Sequence, residues 1–203
     1  RVDNVGFTDE TEKTKLVGQV RFIRAFEYWD LIARWGAMPI ITKSFSINDR
    51  EEIVGQKRNT YKECIDFLVS ELDQAAKELP ANWSGDDYGR ATSVAALALK
   101  SRILLYAASP LMNEDVKIPE VGYTTPEPDR WQKAAKAATE ALDAAQTAGY
   151  ELYNLNGDPS KNYQLIFMDN TAANKETLFA RMGTSSADGE SISSCDQYNN
   201  PNG

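Results

Sequence analysis

Apolar residues recur at steps of three and four through four stretches of the chain, and turn-forming residues separate them. Phe22, Ala25, Tyr28 or Trp29, Ile32 and Trp35 define the first stretch and predict a helix over 14–35, preceded by a polar lead-in at 1–13. Gly36 and then Pro39 supply the stop. The second stretch opens on Thr60-Tyr61-Lys62-Glu63, the spacing of a capping box, in which hydroxyl and carboxylate each satisfy an orphan backbone N–H. Ile65, Leu68, Val69, Leu72, Ala75, Ala76 and Leu79 follow on one face, and Pro80 closes the helix. Over 92–109 the apolar residues Val94, Leu97, Leu99, Ile103, Leu104 and Leu105 surround the helix almost completely, as expected of a central, buried element. The fourth helix opens at Asp129-Arg130-Trp131-Gln132, again with capping-box spacing, runs through Ala134, Ala138, Ala141 and Leu142, and stops at Gly149. Residues 37–57, 81–90 and 111–128 carry Pro, Gly, Ser and Asn without a period and read as inserted loops. Beyond Tyr150 the pattern weakens: 163–168 reads as a helical turn, 176–182 as a short strand and 183–203 as a long loop.

The helices form an internal repeat. Trp131, Ala134, Ala138, Ala141 and Leu142 have the spacing of the second helix of a tetratricopeptide unit, and Tyr61, Cys64, Leu68, Glu71 and Leu72 repeat it. Arg24-Ala25-x-x-Tyr28 corresponds to Lys100-Ser101-x-x-Leu104 in the helix before each. Each unit is therefore helix, insertion, helix, with the tight turn of the tetratricopeptide pattern swollen into a loop. The fold class expected is all-α, built of tetratricopeptide-like hairpins with long inserted loops. We expect one domain over 1–203, with a helical core at about 14–150 and a loop-rich segment over 151–203. Two hairpins are few for a stacked array, and the ends read as unfinished, so the chain is expected to be the middle of a longer protein.

Composition narrows the chemistry. The 203 residues carry 22 Lys+Arg against 30 Asp+Glu, a net charge of −8, which argues against a protein devoted to phosphate backbones. The absence of histidine removes the commonest general base and most zinc or iron sites. Cys64 and Cys195 stand far apart; the first lies on an apolar helical face and reads as a buried, inert thiol, the second as an exposed one. Nothing marks a carboxylate pair for glycoside hydrolysis among the acidic residues, and no phosphate-binding or nucleophile motif occurs. Asp86-Asp87 and Asn156-x-Asp158 lack the spacing of a calcium loop and read as solvated turns. No metal or cofactor is expected.

Five fragments occurring in order resemble the SusD/RagB family. They are Arg21-Phe22-Ile23-Arg24-Ala25-Phe26-x-Tyr28-Trp29-Asp30-Leu31 with Arg34-Trp35-Gly36-x-x-Pro39; Arg58-x-Thr60 with Leu72-Asp73-x-Ala75-Ala76-x-x-Leu79-Pro80; Gly89-Arg90-Ala91-Thr92 with the helix after it; Trp131-x-x-Ala134-Ala135 with Tyr150-x-Leu152; and Asn174-x-Glu176-x-x-Phe179. The resemblance covers about residues 15–182. It implies a non-catalytic, surface-exposed outer-membrane lipoprotein of Bacteroidetes-type bacteria. Such proteins capture glycans, or peptides in some members, and sit as lids on a SusC-like TonB-dependent transporter. The lipid anchor would lie outside this chain, and no nucleic acid is expected as a partner.

A sugar site needs aromatic faces for the apolar side of a pyranose, with amides, carboxylates and Arg for its hydroxyls. Trp83 and Tyr88 share a polar loop with Asn82, Asp86, Asp87 and Arg90 and are candidates, the competing reading being that Trp83 packs on helix ends. The resemblance adds, by position, Arg181, Asp196, Tyr198, Asn199 and Asn200. Arg24, Tyr28, Trp29 and Trp35 lie at helical spacing and are expected to pack in the core, with Arg24 paired to Asp30 or Glu27. Peptide capture, a tetratricopeptide-like adaptor for a protein partner and an acidic-residue glycosidase stand as the alternative functions.

Overall fold

A computed structural model describes residues 6–7, 9–154, 157–169, 171 and 174–180 of the chain. Four long helices carry the fold: α1 (Glu10–Trp35), α3 (Tyr61–Glu78), α4 (Ser93–Ala108) and α6 (Arg130–Thr147). Three short ones, α2 (Arg50–Val54), α5 (Pro110–Asn113) and α7 (Pro159–Leu165), lie in segments between or after them. α1 packs on α3, α3 on α4 and α4 on α6, so the two predicted helix–insertion–helix units are two antiparallel hairpins stacked side by side. No strand occurs among the described residues, which makes the chain all-α.

The local signals act as their chemistry dictates. In α3 the Glu63 N–H donates to Thr60 Oγ1 at 3.2 Å and the Thr60 N–H donates to Glu63 Oε2 at 2.8 Å, completing the capping box. α1 ends where Gly36 takes φ 77 and its N–H bonds the Ile32 carbonyl at 3.0 Å. A side chain there is doubly excluded, since a Cβ would stand 2.8 Å from the Glu120 carbonyl oxygen.

Several expectations are corrected. α1 begins at Glu10 rather than at 14, because Asp9 caps it by accepting the Thr11 N–H at 2.7 Å. Asp129 makes no cap bond at the start of α6; its carboxylate pairs with Lys133 at 3.1 Å instead. The insertion at 37–57 contains a 3-10 turn at Ile47–Asp49 running into α2, closed by a Ser46–Asp49 capping box. The insertion at 111–128 begins within α5, a single turn that opens on Pro110. The helical turn expected at 163–168 begins earlier, at Pro159, where Asp158 accepts the Ser160 N–H. Residues 176–180, expected as part of a strand, make single backbone bonds to separate segments and have no partner strand. Trp35, expected in the core, is 65% exposed because it stands in the last turn of α1, past the contact with α3.

The core lies between α1, α3 and α4, with Phe22, Tyr61, Ile65, Leu68, Leu72 and Ile103 all but fully buried. α6 joins through small residues, Ala134, Ala137 and Ala141, which let its backbone approach α4 closely. The loop before α6 is stitched to the core rather than draped over it. Its Pro119 and Glu120 carbonyls accept the backbone N–H groups of Tyr61 and Ala37, both at 2.7 Å. Tyr123 stacks edge-on against Tyr61 with ring centroids 5.2 Å apart, and the Arg130 guanidinium covers Tyr123 at 3.6 Å.

α1 and α3 also share a buried ion cluster. Glu71, one tenth exposed, accepts from Arg21 at 3.0 Å and from Arg24, and Arg21 reaches Glu78 at 3.1 Å. Arg24 thus pairs across helices, not within α1 as its sequence neighbours suggested; Asp30 pairs with Arg34 at 2.8 Å. Removing the central carboxylate leaves two half-buried guanidinium groups facing each other. We expect Glu71→Ala to cost about 2–4 kcal/mol in urea unfolding, against less than about 1 kcal/mol for Lys62→Ala, which breaks the exposed Lys62–Asp66 pair.

The buried Tyr61 hydroxyl finds no hydrogen-bond partner among the described residues. Burial pushes its titration far above the usual range, and burial, outweighing nearby Arg130, pushes Tyr123 up to about 12. Above the ordinary tyrosine pKa of about 10 the unfolded chain releases protons that the folded chain retains, so stability present below that pH falls as it rises. We expect Tyr61→Phe to be neutral or to stabilise by up to about 1 kcal/mol. Between about pH 9 and 11 its urea midpoint should fall less than that of the parent.

Candidate functional site

The loop between α3 and α4 is held at both ends. Thr92 caps α4 by accepting the Ala95 N–H at 3.0 Å, and the Ser93 N–H reaches back to the Pro80 carbonyl at 2.9 Å. Between these anchors a 3-10 turn at Gly85–Asp87 reverses the chain, and Gly89 takes φ 91. Trp83 and Tyr88, on either side of the turn, both line a concavity of about 230 Å³.

Two further segments complete this pocket. Tyr150 follows α6, and Asn174, Lys175, Thr177 and Leu178 return beside the loop. The returning backbone is fixed by the Ala180 N–H on the Gly89 carbonyl (3.0 Å) and the Glu151 N–H on the Lys175 carbonyl (3.3 Å). Asn174 is buried and saturated: its amide donates to the Ile166 and Asp169 carbonyls, and its oxygen accepts the Glu176 N–H. Glu176 accepts the Tyr153 N–H at 2.8 Å, and Phe179 packs edge-on against Phe22 at 4.9 Å. The Asn174-x-Glu176-x-x-Phe179 fragment therefore positions the return segment by side-chain bonds to the main chain and by the packing of Phe179 on Phe22 and Phe26.

The two aromatics predicted from the loop do come together, but their polar ends face inward. Trp83 Nε1–H donates to the Ala91 carbonyl at 2.7 Å and the Tyr88 hydroxyl to the Asn174 carbonyl at 3.1 Å. What Trp83 offers a ligand is part of its ring, which Lys15 and Arg90 approach, each 5.8 Å from the centroid. Packing and exposure thus coexist in Trp83. Asp86, the third predicted residue, stands on the turn and does not line the pocket. Arg181, Asp196, Tyr198, Asn199 and Asn200 lie outside the described residues, as does Cys195. Sequence reasoning missed Tyr150 and Lys175 as pocket residues; both adjoin or belong to fragments with a recognisable motif, which was the available signal. Burial raises the Tyr150 hydroxyl above its usual titration range, and that hydroxyl donates to the Ala81 carbonyl at 3.2 Å.

A larger groove of about 610 Å³ runs between α3 and α6 over α4. Six cations and four carboxylates line it, and most are paired: Lys100 lies between Asp73 (2.8 Å) and Glu140 (3.5 Å), and Glu127 between Arg130 and Lys133. Burial opposes the Lys100 charge, yet hydrogen bonding and attraction from Asp73 and Glu140 outweigh it, so its pKa is raised. Tyr123, its aromatic, is buried. Among the described residues no cluster of three or more acidic or cysteine side chains has the geometry to hold a metal. Cys64 is buried, its thiol donating to the Met38 carbonyl at 3.4 Å, and burial pushes its pKa up, as fits an inert core residue.

Stacked helical hairpins with a pocket built on the loops place the chain among tetratricopeptide-like helical folds. Comparison with known proteins sharpens this class. The family described as "Starch-binding associating with outer membrane" (SusD-like) matches residues 2–105, half of the chain. The chain belongs to the SusD/RagB family. It is 30% identical over 105 residues to SusD-like protein P25 of Formosa agariphila, covering 50% of this chain and 19% of that protein. It is 28% identical over 178 residues to a SusD-like protein of Bacteroides ovatus, covering 86% of this chain and 27% of that one. A solved SusD-like structure from Bacteroides fragilis superposes with a TM-score of 0.62 at 30% identity, over 89% of this chain and 29% of its own length. The chain thus spans about a fifth to a third of the length of these relatives.

The saturation of Asn174 makes it the keystone of the pocket wall. Asn174→Ala should speed amide hydrogen exchange at Ala180 and red-shift Trp83 emission, while exchange at the centre of α3 stays unchanged.

Proposed function

We propose that this chain is part of a non-catalytic oligosaccharide-binding protein of the outer-membrane surface. In this reading the protein is held by a lipid anchor outside residues 1–203 and passes its glycan to a SusC-like TonB-dependent transporter. The observation that carries the reading is membership of a family described as starch-binding and associated with the outer membrane. The loop pocket supports it chemically: an aromatic ring face beside amide, hydroxyl and guanidinium groups is the inventory that grips a pyranose. The helices support it by default, since their polar groups are spent on each other, leaving loops as the variable surface. Arg181, Asp196, Tyr198, Asn199 and Asn200 remain candidates for a further part of the ligand surface.

Calorimetric titration of the intact protein with a panel of neutral and acidic oligosaccharides tests the reading. Binding without release of reducing sugar, together with co-purification of a TonB-dependent transporter, is expected. Trp83→Ala should weaken binding about tenfold or more. Binding to no glycan, or hydrolysis of one, would sink the proposal.

A further inference from the structure

The two concavities of the molecule differ in how their charges are arranged. In the α3–α4–α6 groove, lysines and arginines alternate with Asp66, Asp73, Glu127 and Glu140 in the lining itself. The loop pocket has no carboxylate in its lining, although it belongs to a chain of net charge −8. Its lining does contain Arg90 and Lys175, and Lys15 reaches over Trp83 from α1. Two cations, Lys15 and Arg90, therefore approach the Trp83 ring, and a third, Lys175, lines the same pocket from a separate segment.

Their existing partners hold them weakly. Arg90 pairs with Asp87 at 3.0 Å and Lys175 with Glu151 at 2.8 Å, but all four side chains are about half exposed. Exposed pairs of this kind contribute little to stability, and a ligand anion can take over the cation without cost to the fold. Among the described residues Lys15 makes no close ion pair and attracts the Asp9 carboxylate only at longer range. The polar ends of Trp83 and Tyr88, by contrast, are committed to backbone carbonyls, so these two residues offer a ligand their ring faces beside the positive charges of Arg90 and Lys175. A neutral hexose uses the ring and can accept hydrogen bonds from the cations, but it leaves their charge unneutralised. A sugar unit bearing an anionic oxygen group uses both, and a planar carboxylate or a sulfate matches a guanidinium fork.

We infer that the Trp83–Tyr88–Tyr150 pocket prefers acidic glycans, the anionic group of one sugar unit being held between Arg90 and Lys175 with its ring against Trp83. This rests on the glycan-binding reading above and adds a substrate class to it. The uronate carboxylate and the sulfate ester share the chemistry the pocket selects.

The test titrates the intact protein with trigalacturonate, a sulfated trisaccharide, maltotriose and cellotriose. At least one acidic ligand should bind about tenfold more tightly than either neutral one. That preference should shrink as salt is raised from about 20 mM to about 500 mM, where the screening length falls to a few ångströms. The uronate and sulfate arms show which anion is preferred. Arg90→Gln and Lys175→Gln should each abolish the preference with unchanged far-ultraviolet circular dichroism, while Lys161→Gln, remote and exposed, should leave it intact. Equal binding of neutral and acidic sugars overturns the inference and leaves glycan capture standing. A preference that survives both substitutions also overturns it, because the acidic ligand then binds elsewhere. Binding to none of the four, nor to any other glycan, overturns both readings at once.

Discussion

The contact that decides how the helices assemble is the one Glu71 makes with Arg21 and Arg24. Hydrophobic burial alone does not orient α1, because that helix is apolar on two opposite faces. Phe22, Ala25, Trp29 and Ile32 point into the core, whereas Leu16, Val20, Ile23 and Leu31 lie on the far side, each at least 38% exposed. Rolling α1 half a turn would exchange one apolar stripe for another. Arg21 and Arg24 stand between the stripes, and a nearly buried carboxylate on α3 can be satisfied only when they flank it. The ion cluster thus supplies the specificity that the apolar pattern leaves undetermined, and the Phe22 contact with Phe179 and the tie from Ala37 to Glu120 follow from that choice.

With α1 and α3 fixed, the long insertions become extensions of the core. Each is anchored where backbone groups would otherwise be orphaned: at the end of α1, at the start of α3, and between Gly89 and the return segment. This explains why loops of this length keep defined shapes on a small scaffold. It also explains why the pocket has rigid walls, since Trp83, Tyr88 and Tyr150 each hold a main-chain carbonyl while turning part of a ring outward.

Much of this was legible in the sequence, and the exceptions have a common cause. Period, capping box and Gly or Pro stops are local, and they placed α1, α3, α4 and α6 to within a few residues. The 176–182 segment, read as a strand, misled over its described residues 176–180, because its apolar residues mimic a strand while its long-range backbone partner, Gly89 for Ala180, lies far off in sequence. Arg24 misled for the same reason: Asp30 and Glu27 are its sequence neighbours, but the acceptor is on another helix. In the site, Trp83 and Tyr88 were readable as neighbours on one loop, whereas Lys175 and Tyr150 arrive only through the tertiary fold. Asp86 shared their loop, yet the turn at Gly85–Asp87 directs it away.

The contrast between the two concavities follows from the same architecture. A groove between helices is lined at fixed rises along each helix, so a residue of one sign meets its opposite on the facing helix, and the ladder Asp73–Lys100–Glu140–Lys136 neutralises itself. A pocket assembled from three loop segments has no such register. Its cations find carboxylates only at the rim, on Asp87 and Glu151, where water weakens the attraction. Cations paired only at an exposed rim stay available to a ligand, whereas those along the helical groove are largely engaged with carboxylates beside them. That places the potential to recognise a ligand on the insertions and leaves the stacked hairpins to hold them in place.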